Sequence, residues 1–294
     1  MTLKRNTKKN LFVIGMLFIP VVHFIIFWVV VNFNSFVIAF QRVDSTGELY
    51  YTLQNFRDIP ALFGKDGILR TSLVNTTVTW LFTVVFLLSW SFFLTYFLYK
   101  KIKLSGLWRT MLFMCTLLPA AAMASIFLYI SLPEAPIGQF FALFNGGEPI
   151  DIFDAEYARY TVILYYFLTN FGGQFVLLSG AMARVPKECL ESAHLDGAGM
   201  GTEMFKIILP LCWPTVSMIL LTNLAGFFAA TGPVLLLTNG MKDTSTMSFY
   251  FFGETREGRL FVPAAVGLLC TAVLFPIVIL VKWLLGKVYA DVEF

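Results

Sequence analysis

The chain alternates between long apolar stretches and shorter polar connectors. A helix needs about 20 predominantly apolar residues to cross the hydrocarbon core of a bilayer. Stretches of this kind occur at residues 11–36, 72–99, 107–130, 158–183, 211–237 and 261–285. The pattern predicts six membrane-spanning helices within one transmembrane domain that covers residues 1–294.

The composition supports an all-α polytopic membrane protein. Hydrophobic residues make up 58% of the chain and charged residues 13%, with 32 Phe, and the mean hydropathy is +0.76. Soluble domains are about 45–50% apolar and about 25% charged. The four Cys residues are scattered and form no CxxC pair. The sequence therefore indicates neither a disulfide framework nor a metal site.

The connectors differ in charge. One alternating set holds 13 of the 21 Lys and Arg residues and 6 of the 18 Asp and Glu residues, whereas the other set holds 8 and 12. The basic set comprises residues 1–10, 100–109, 184–206 and 282–294, and the acidic set comprises residues 41–70, 131–159 and 238–259. Because basic connectors stay on the cytoplasmic side, this bias predicts that both termini are cytoplasmic.

The segment 186–210 is polar, charged and patterned. Pro186 can begin a helix because it has no N–H group to leave unpaired, and Glu188 and Glu191 then lie where negative charge suits the helix dipole. Gly197 ends this helix, and an apolar face restarts before Pro210. The pattern predicts a short helix, a turn and a second helix at the cytoplasmic membrane face. A rigid helix there could be grasped by a partner protein.

The same segment resembles the EAA signature of ABC importer permeases. Glu191-Ser192-Ala193, Asp196-Gly197-Ala198 and Ile207-x-Leu209-Pro210 match it without a gap, with Ser192 where Ala is usual. The resemblance covers nearly the whole chain and is most specific to the carbohydrate subfamily (maltose and glycerol-phosphate type), where it points to the first permease of two-permease systems. It assigns ATPase coupling to Glu188, Glu191, Ser192, Ala193, Asp196, Gly197 and Ala198.

The resemblance implies the type I ABC importer permease fold and a set of partners. These are a second homologous permease in a heterodimer, two cytoplasmic nucleotide-binding ATPases and an extracytoplasmic solute-binding protein that delivers a carbohydrate. The location implied is the bacterial or archaeal cytoplasmic membrane. The chain has no GxxxxGK[ST] phosphate loop, so ATP and Mg are expected in the partner ATPase. This chain is expected to bind no cofactor, metal or nucleic acid and to be non-catalytic.

Polar side chains within the spans are candidates for a substrate pathway because they are costly in a membrane. Side-chain amides offer donors and acceptors that suit hydroxyl-rich solutes, although they could instead tie helices together. Under the resemblance, three positions of the fifth span correspond to sugar-contacting positions of the maltose-type permease, and only Asn223 retains a hydrogen-bonding side chain there. The candidates are Asn170, Gly173, Gln174, Asn223, Phe227 and Ala230.

Two alternatives remain open. Asn75, Thr76, Thr77 and Thr79 open the second span and could line the pathway, or the Thr hydroxyls could bond their own backbone. The alternative function is an ion- or proton-coupled secondary carrier. Such a carrier would be expected to show intramembrane charges and inverted repeats. The spans are almost free of charged residues and no repeat is visible, so the importer is favoured.

Overall fold

A computed structural model of the protein describes residues 2–64, 67–148, 150–229, 232–241 and 243–288. The described chain is mostly helical, and several helices include short π-helical segments. Its first helix, α1, runs through Thr2–Phe24, Ile25–Val30 and Val31–Ala39. The remaining elements are β1 (Gln41–Val43), β2 (Leu49–Tyr51), α2 (Gln54–Leu62), α3 (Ile68–Tyr99), α4 (Ser105–Leu117), α5 (Ala120–Ile130), α6 (Pro136–Ala142), α7 (Ala158–Met182), α8 (Lys187–Leu195), α9 (Met200–Leu211), α10 (Trp213–Ala225), α11 (Gly232–Leu237), α12 (Met247–Arg256) and α13 (Phe261–Val288).

Four of the described helices are long and apolar enough to cross a membrane, namely the Phe12–Ala39 part of α1 together with α3, α7 and α13. A fifth is added if α9 and α10, which are bent by 70° relative to each other, are one broken span. The four long helices lie close to the predicted stretches 11–36, 72–99, 158–183 and 261–285. A count of six spans and the cytoplasmic placement of the termini stay predictions.

The other two apolar stretches are interrupted in the structure. The stretch 107–130 comprises α4 and α5, which are separated at Leu118 and Pro119. A residue that precedes proline is pushed out of the helical region, and Leu118 is accordingly extended with ψ 138°. In the stretch 211–237, α10 ends at Ala225 and α11 begins at Gly232. Apolar length alone did not reveal these breaks.

The chain divides into two compact units. The first contains the described residues up to Leu62 together with Gly253–Val273. Within it, β1 and β2 pair antiparallel directly after α1. Asn55 is fully buried, and its Nδ2 donates hydrogen bonds to the carbonyl oxygens of Ala39 at 2.9 Å and Gln41 at 2.8 Å. These bonds fix the chain between α1 and the hairpin.

The second unit contains Phe63–Phe252 and the described residues from Leu274 onwards. A buried apolar cluster joins α3, α7, α9 and α10 within it. Leu190 of α8 packs against this cluster and attaches that short helix to the unit. The buried members are Leu88, Phe92, Tyr96, Leu178, Ala181, Met182, Val185, Met204, Ile208, Cys212, Val216 and Ile219.

Candidate functional site

The polar segment forms the predicted helix, turn and second helix. Helix α8 begins directly after Pro186, carries Glu188 in its first turn and contains no buried residue. Leu190 is its contact with the apolar cluster, whereas Leu195 at its end is 90% exposed. The helix is therefore attached along one side and leaves most of its surface accessible.

The end of α8 requires the glycine that follows it. Gly197 has φ +74°, and its N–H donates to the carbonyl of His194 at 3.1 Å. The N–H of Ala198 donates to the carbonyl of Ala193 at 2.9 Å. These two bonds are the Schellman motif that closes helices, and glycine adopts the left-handed conformation without steric penalty. The turn is thus built into the sequence between Ala193 and Ala198.

The residues predicted to couple to an ATPase lie together on this exposed helix and its turn. Ala193 and Ala198 are partly buried beside the turn. The others face solvent, namely Glu188, Glu191, Ser192, Asp196 and Gly197. What they bind stays a prediction.

A cleft of about 460 Å³ lies between α3, α7, α10 and the turn that follows α10. It gathers residues from three predicted spans that are distant in the sequence. Ala230, the sixth candidate, lies outside the described residues. The five predicted pathway residues that line the cleft are Asn170, Gly173, Gln174, Asn223 and Phe227.

The side-chain amides in the cleft make local hydrogen bonds. Asn223 Nδ2 donates to the carbonyl of Ile219 in its own helix at 3.0 Å, and Asn170 Nδ2 donates to the hydroxyl of the adjacent Thr169 at 3.0 Å. Neither bond joins two helices, which argues against a purely structural role for these amides. Gln174 Oε1 is buried and accepts no hydrogen bond within the described part of the chain.

Aromatic and hydroxyl side chains that the sequence did not single out complete the cleft. Trp80 Nε1 donates to the backbone oxygen of Asn223 at 3.0 Å, a carbonyl in the last turn of α10 that has no partner within the helix. The Trp80 ring also meets the Phe227 ring edge-on, with the centroids 5.4 Å apart. The further lining residues that were missed include Thr83, Tyr166 and Thr222.

Only part of the polar opening of α3 faces the cleft. Asn75 and Thr76 are buried elsewhere, against the loop that precedes α12. Asn75 Nδ2 donates to the backbone oxygens of Asp243 at 2.6 Å and Ser245 at 2.8 Å. The N–H of Met247 donates to Thr76 Oγ1 at 2.9 Å. These side chains hold a loop in place, whereas Thr79 lines the cleft.

The cleft combines apolar and aromatic side chains with a few neutral polar ones. None of its described lining residues is Asp, Glu, Lys, Arg or His. A second cleft of about 360 Å³ shares Tyr166, Asn170 and Gly173 with it and reaches the break between α4 and α5. The two clefts thus flank the same face of α7, next to the interrupted helices.

Long apolar helices, an exposed polar helix and a cleft between α3, α7 and α10 are features expected of a membrane transport component. Residues 88–292 match the family described as "Binding-protein-dependent transport system inner membrane component". This match covers more than half of the chain, and the protein belongs to that family. It is a multi-pass membrane protein.

Several relatives with established names are similar to the chain. The alpha-glucoside transport system permease protein AglF of Rhizobium meliloti is 27% identical over 197 residues, covering 64% of this chain and 58% of the relative. The arabinooligosaccharides transport system permease protein AraP of Halalkalibacterium halodurans is 26% identical over 214 residues, covering 70% and 66%. The match thus spans less than two thirds of either relative.

Solved structures resemble the chain over its whole length. The crystal structure of a bacterial ABC transporter involved in the import of the acidic polysaccharide alginate matches with a TM-score of 0.82 at 17% identity, covering 98% of this chain and 99% of that one. A complex of a bacterial alginate ABC transporter with an alginate pentasaccharide-bound periplasmic protein gives 0.83 at 16%, with complete coverage of both chains. The chain has the type I ABC importer permease fold.

Proposed function

We propose that this chain is the permease subunit of an ATP-driven, binding-protein-dependent carbohydrate importer in the bacterial cytoplasmic membrane. It forms the translocation pathway with a second homologous permease. An extracytoplasmic solute-binding protein delivers the substrate, and two cytoplasmic ATPases bind ATP and Mg and engage α8. The family membership supports the transport role, and relatives named for alpha-glucosides and arabinooligosaccharides support the carbohydrate class.

The observation that carries the carbohydrate assignment is the uncharged cleft. Its volume of about 460 Å³ lies within the range of small-molecule sites, which are mostly apolar with a few polar groups. The amides of Asn170 and Asn223 offer donors and acceptors for sugar hydroxyls, and Trp80 and Phe227 offer ring faces. Gln174 also lines the cleft and adds a third side-chain amide.

The same lining favours a neutral saccharide over an acidic one. Moving an anionic ligand out of water without an opposite charge or a metal is strongly unfavourable. The described lining contains no cationic side chain. The substrate class proposed for this cleft is therefore a neutral oligosaccharide.

The form of α8 supports its role as the point where an ATPase acts. A helix that is exposed over most of its surface can insert into a partner. Its end is held by the Schellman turn at Gly197, and Leu190 connects it to the buried cluster of α3, α7, α9 and α10. A displacement of α8 would therefore move the packed helices α3, α7, α9 and α10, which a flexible loop at this position would not do.

The test is uptake into liposomes that contain this chain, its second permease and the ATPases, with the solute-binding protein added outside. We expect uptake to require ATP and to stop when the partner ATPase is catalytically inactive. Neutral oligosaccharides should be preferred over uronate oligosaccharides by roughly tenfold, the ratio equivalent to about 1.4 kcal/mol. Uptake that persists with the inactive ATPase would favour a secondary carrier. ATP-dependent uptake that is selective for uronates would overturn the neutral substrate alone.

A further inference from the structure

A buried carboxylate pairs with a lysine where α9 meets the end of α3. Glu203 lies near the start of α9 and is 3% exposed. Lys100 directly follows α3, and its Nζ lies 2.6 Å from Oε1 and 2.7 Å from Oε2 of Glu203. The pair joins two segments that are 103 residues apart in the sequence.

Apolar residues also bring these two helices together beside the pair. Met204 and Ile208 of α9 are buried in the same apolar cluster as Tyr96 of α3. The Lys100 ammonium lies 6.0 Å from the centroid of the Tyr96 ring. An apolar pair in such surroundings often stabilises a fold as well as an ion pair or better, because desolvation opposes the attraction. Stability alone therefore does not explain why this position holds a Lys–Glu ion pair.

What an ion pair adds is a defined position. The hydrophobic effect is non-directional, so apolar contact defines a register less sharply than a paired charge does. Lys100 is the cation that pairs with the Glu203 carboxylate, and a buried charge without its partner is strongly destabilising. The pair therefore selects one register of α9 on α3.

The location of the pair connects the two functional regions. Glu203 follows the turn that ends α8, and Lys100 follows the helix whose residues Thr79, Trp80 and Thr83 line the cleft. With a rise of about 1.5 Å per residue, the stretch of α3 from Trp80 to Lys100 is about 30 Å long. One ion pair thus joins α9, which follows the exposed helix α8, to the far end of a cleft-lining helix.

We propose that Lys100 and Glu203 are positioning residues that hold α9 in one register on α3, so that movement of α8 is passed to the cleft. This rests on the proposed role of α8 in ATPase coupling. Without the pair, α9 still adheres through Met204 and Ile208 but slips along α3. ATP hydrolysis then proceeds with less transport.

The experiment measures sugar transported per ATP hydrolysed, using the whole complex in liposomes. We expect Lys100→Glu and Glu203→Lys each to lower this ratio at least tenfold, while the ATPases still co-purify. The double variant with both changes, which restores opposite charges, should recover the ratio to within about threefold of the wild type. Lys103→Glu makes the same charge change on the same exposed connector and should leave the ratio unchanged.

A second double variant separates positioning from simple burial. Lys100→Met combined with Glu203→Leu keeps the contact apolar and is expected to assemble normally, yet to transport at the low ratio. If the single variants do not reach the membrane, the test is the comparison of the transport-to-ATP ratio between the two double variants. A charge-swapped ratio at least fivefold above the apolar one supports the proposal.

Two results would overturn the positioning role, namely single variants with the wild-type ratio or an apolar pair that transports as well as the wild type. Failure of the underlying function has a different signature, because wild-type uptake would then continue with an inactive ATPase. Wild-type uptake that is ATP-driven, together with unaffected variants, refutes the ion-pair role alone.

Discussion

The α8–α9 helix pair and the cleft are both polar interruptions of an apolar chain, but they are built in different ways. The turn after α8 is closed by bonds among residues between Ala193 and Ala198. No single stretch of the sequence specifies the cleft, because α3, α7 and α10 each contribute part of its lining. A substitution in the turn should therefore disturb only the connection between α8 and α9. A substitution in the cleft should act either through helix packing or through direct contact with the substrate.

The largest effect is expected at the turn, from Gly197→Pro. Proline fixes φ near −65° and has no N–H. Gly197 has φ +74° and donates its N–H to His194. We expect ATP-driven uptake to fall about a hundredfold and ATPase co-purification to weaken, with normal membrane levels.

The matched control for this variant is Gly201→Ala in the same segment. An added Cβ at Gly201 meets open space, and its backbone is not left-handed. Uptake by this control should stay within about twofold of the wild type, in line with a helix-propensity change below about 1 kcal/mol. Full uptake and co-purification in Gly197→Pro would show that the turn is dispensable.

An intermediate effect is expected from two adjacent glycines of α7 that face different surroundings. A Cβ at Gly172 would lie 2.3 Å from Thr116 Cγ2 and 3.0 Å from the Leu112 carbonyl oxygen, whereas at Gly173 nothing lies within 4 Å. Overpacking usually destabilises by about 1–3 kcal/mol. Gly172→Ala should therefore lower the thermal unfolding midpoint in detergent, and Gly173→Ala should leave it unchanged.

In transport assays we expect the opposite order, with the effect on uptake in Gly173→Ala. Gly173 lines the cleft, so its added methyl group should change uptake at limiting substrate without affecting stability. Equal unfolding midpoints for the two variants would contradict the close approach of α4 and α7 at Gly172.

The smallest effect is expected at a single cleft amide. Asn223→Leu removes a hydrogen-bonding group of the lining, and one such bond contributes about 0.5–1.5 kcal/mol. Uptake at limiting substrate should fall up to about tenfold, with the assembled complex and its ATP hydrolysis retained. Met218→Leu on the same helix keeps the lining apolar and should transport normally. Unchanged uptake in Asn223→Leu would remove this residue from the substrate pathway.

Sequence patterns were most informative where neighbours in the chain determine the structure. Pro186 and Gly197 mark the two ends of α8 because their effects on φ act on the adjacent backbone. Asn170, Gln174 and Asn223 stood out as cleft candidates because polar groups are unfavourable inside apolar spans. Ala230 was proposed from the resemblance alone and lies outside the described residues.

The cleft residues that the sequence analysis missed are of residue types that are common at many other positions of the chain. Thr83 lies four residues after Thr79 and so shares its helix face, yet it was missed because Thr is frequent throughout α3. In the sequence, nothing distinguishes Trp80 from the other aromatic residues of this Phe-rich chain. The structure does, because its indole N–H donates to the Asn223 carbonyl. Asn75 and Thr76 appeared equivalent to Thr79, although they hold a loop.

The sequence by itself determined the apolar helices, the helix–turn–helix after Pro186 and the resemblance to importer permeases, because periodicity, proline and glycine act over a few residues. Only the tertiary structure decided which polar groups share the cleft, where α4 and α5 approach α7, and that Glu203 pairs with Lys100. Those outcomes depend on which helix faces meet. Helices that are uniformly apolar carry little amphipathic signal to reveal the facing surfaces.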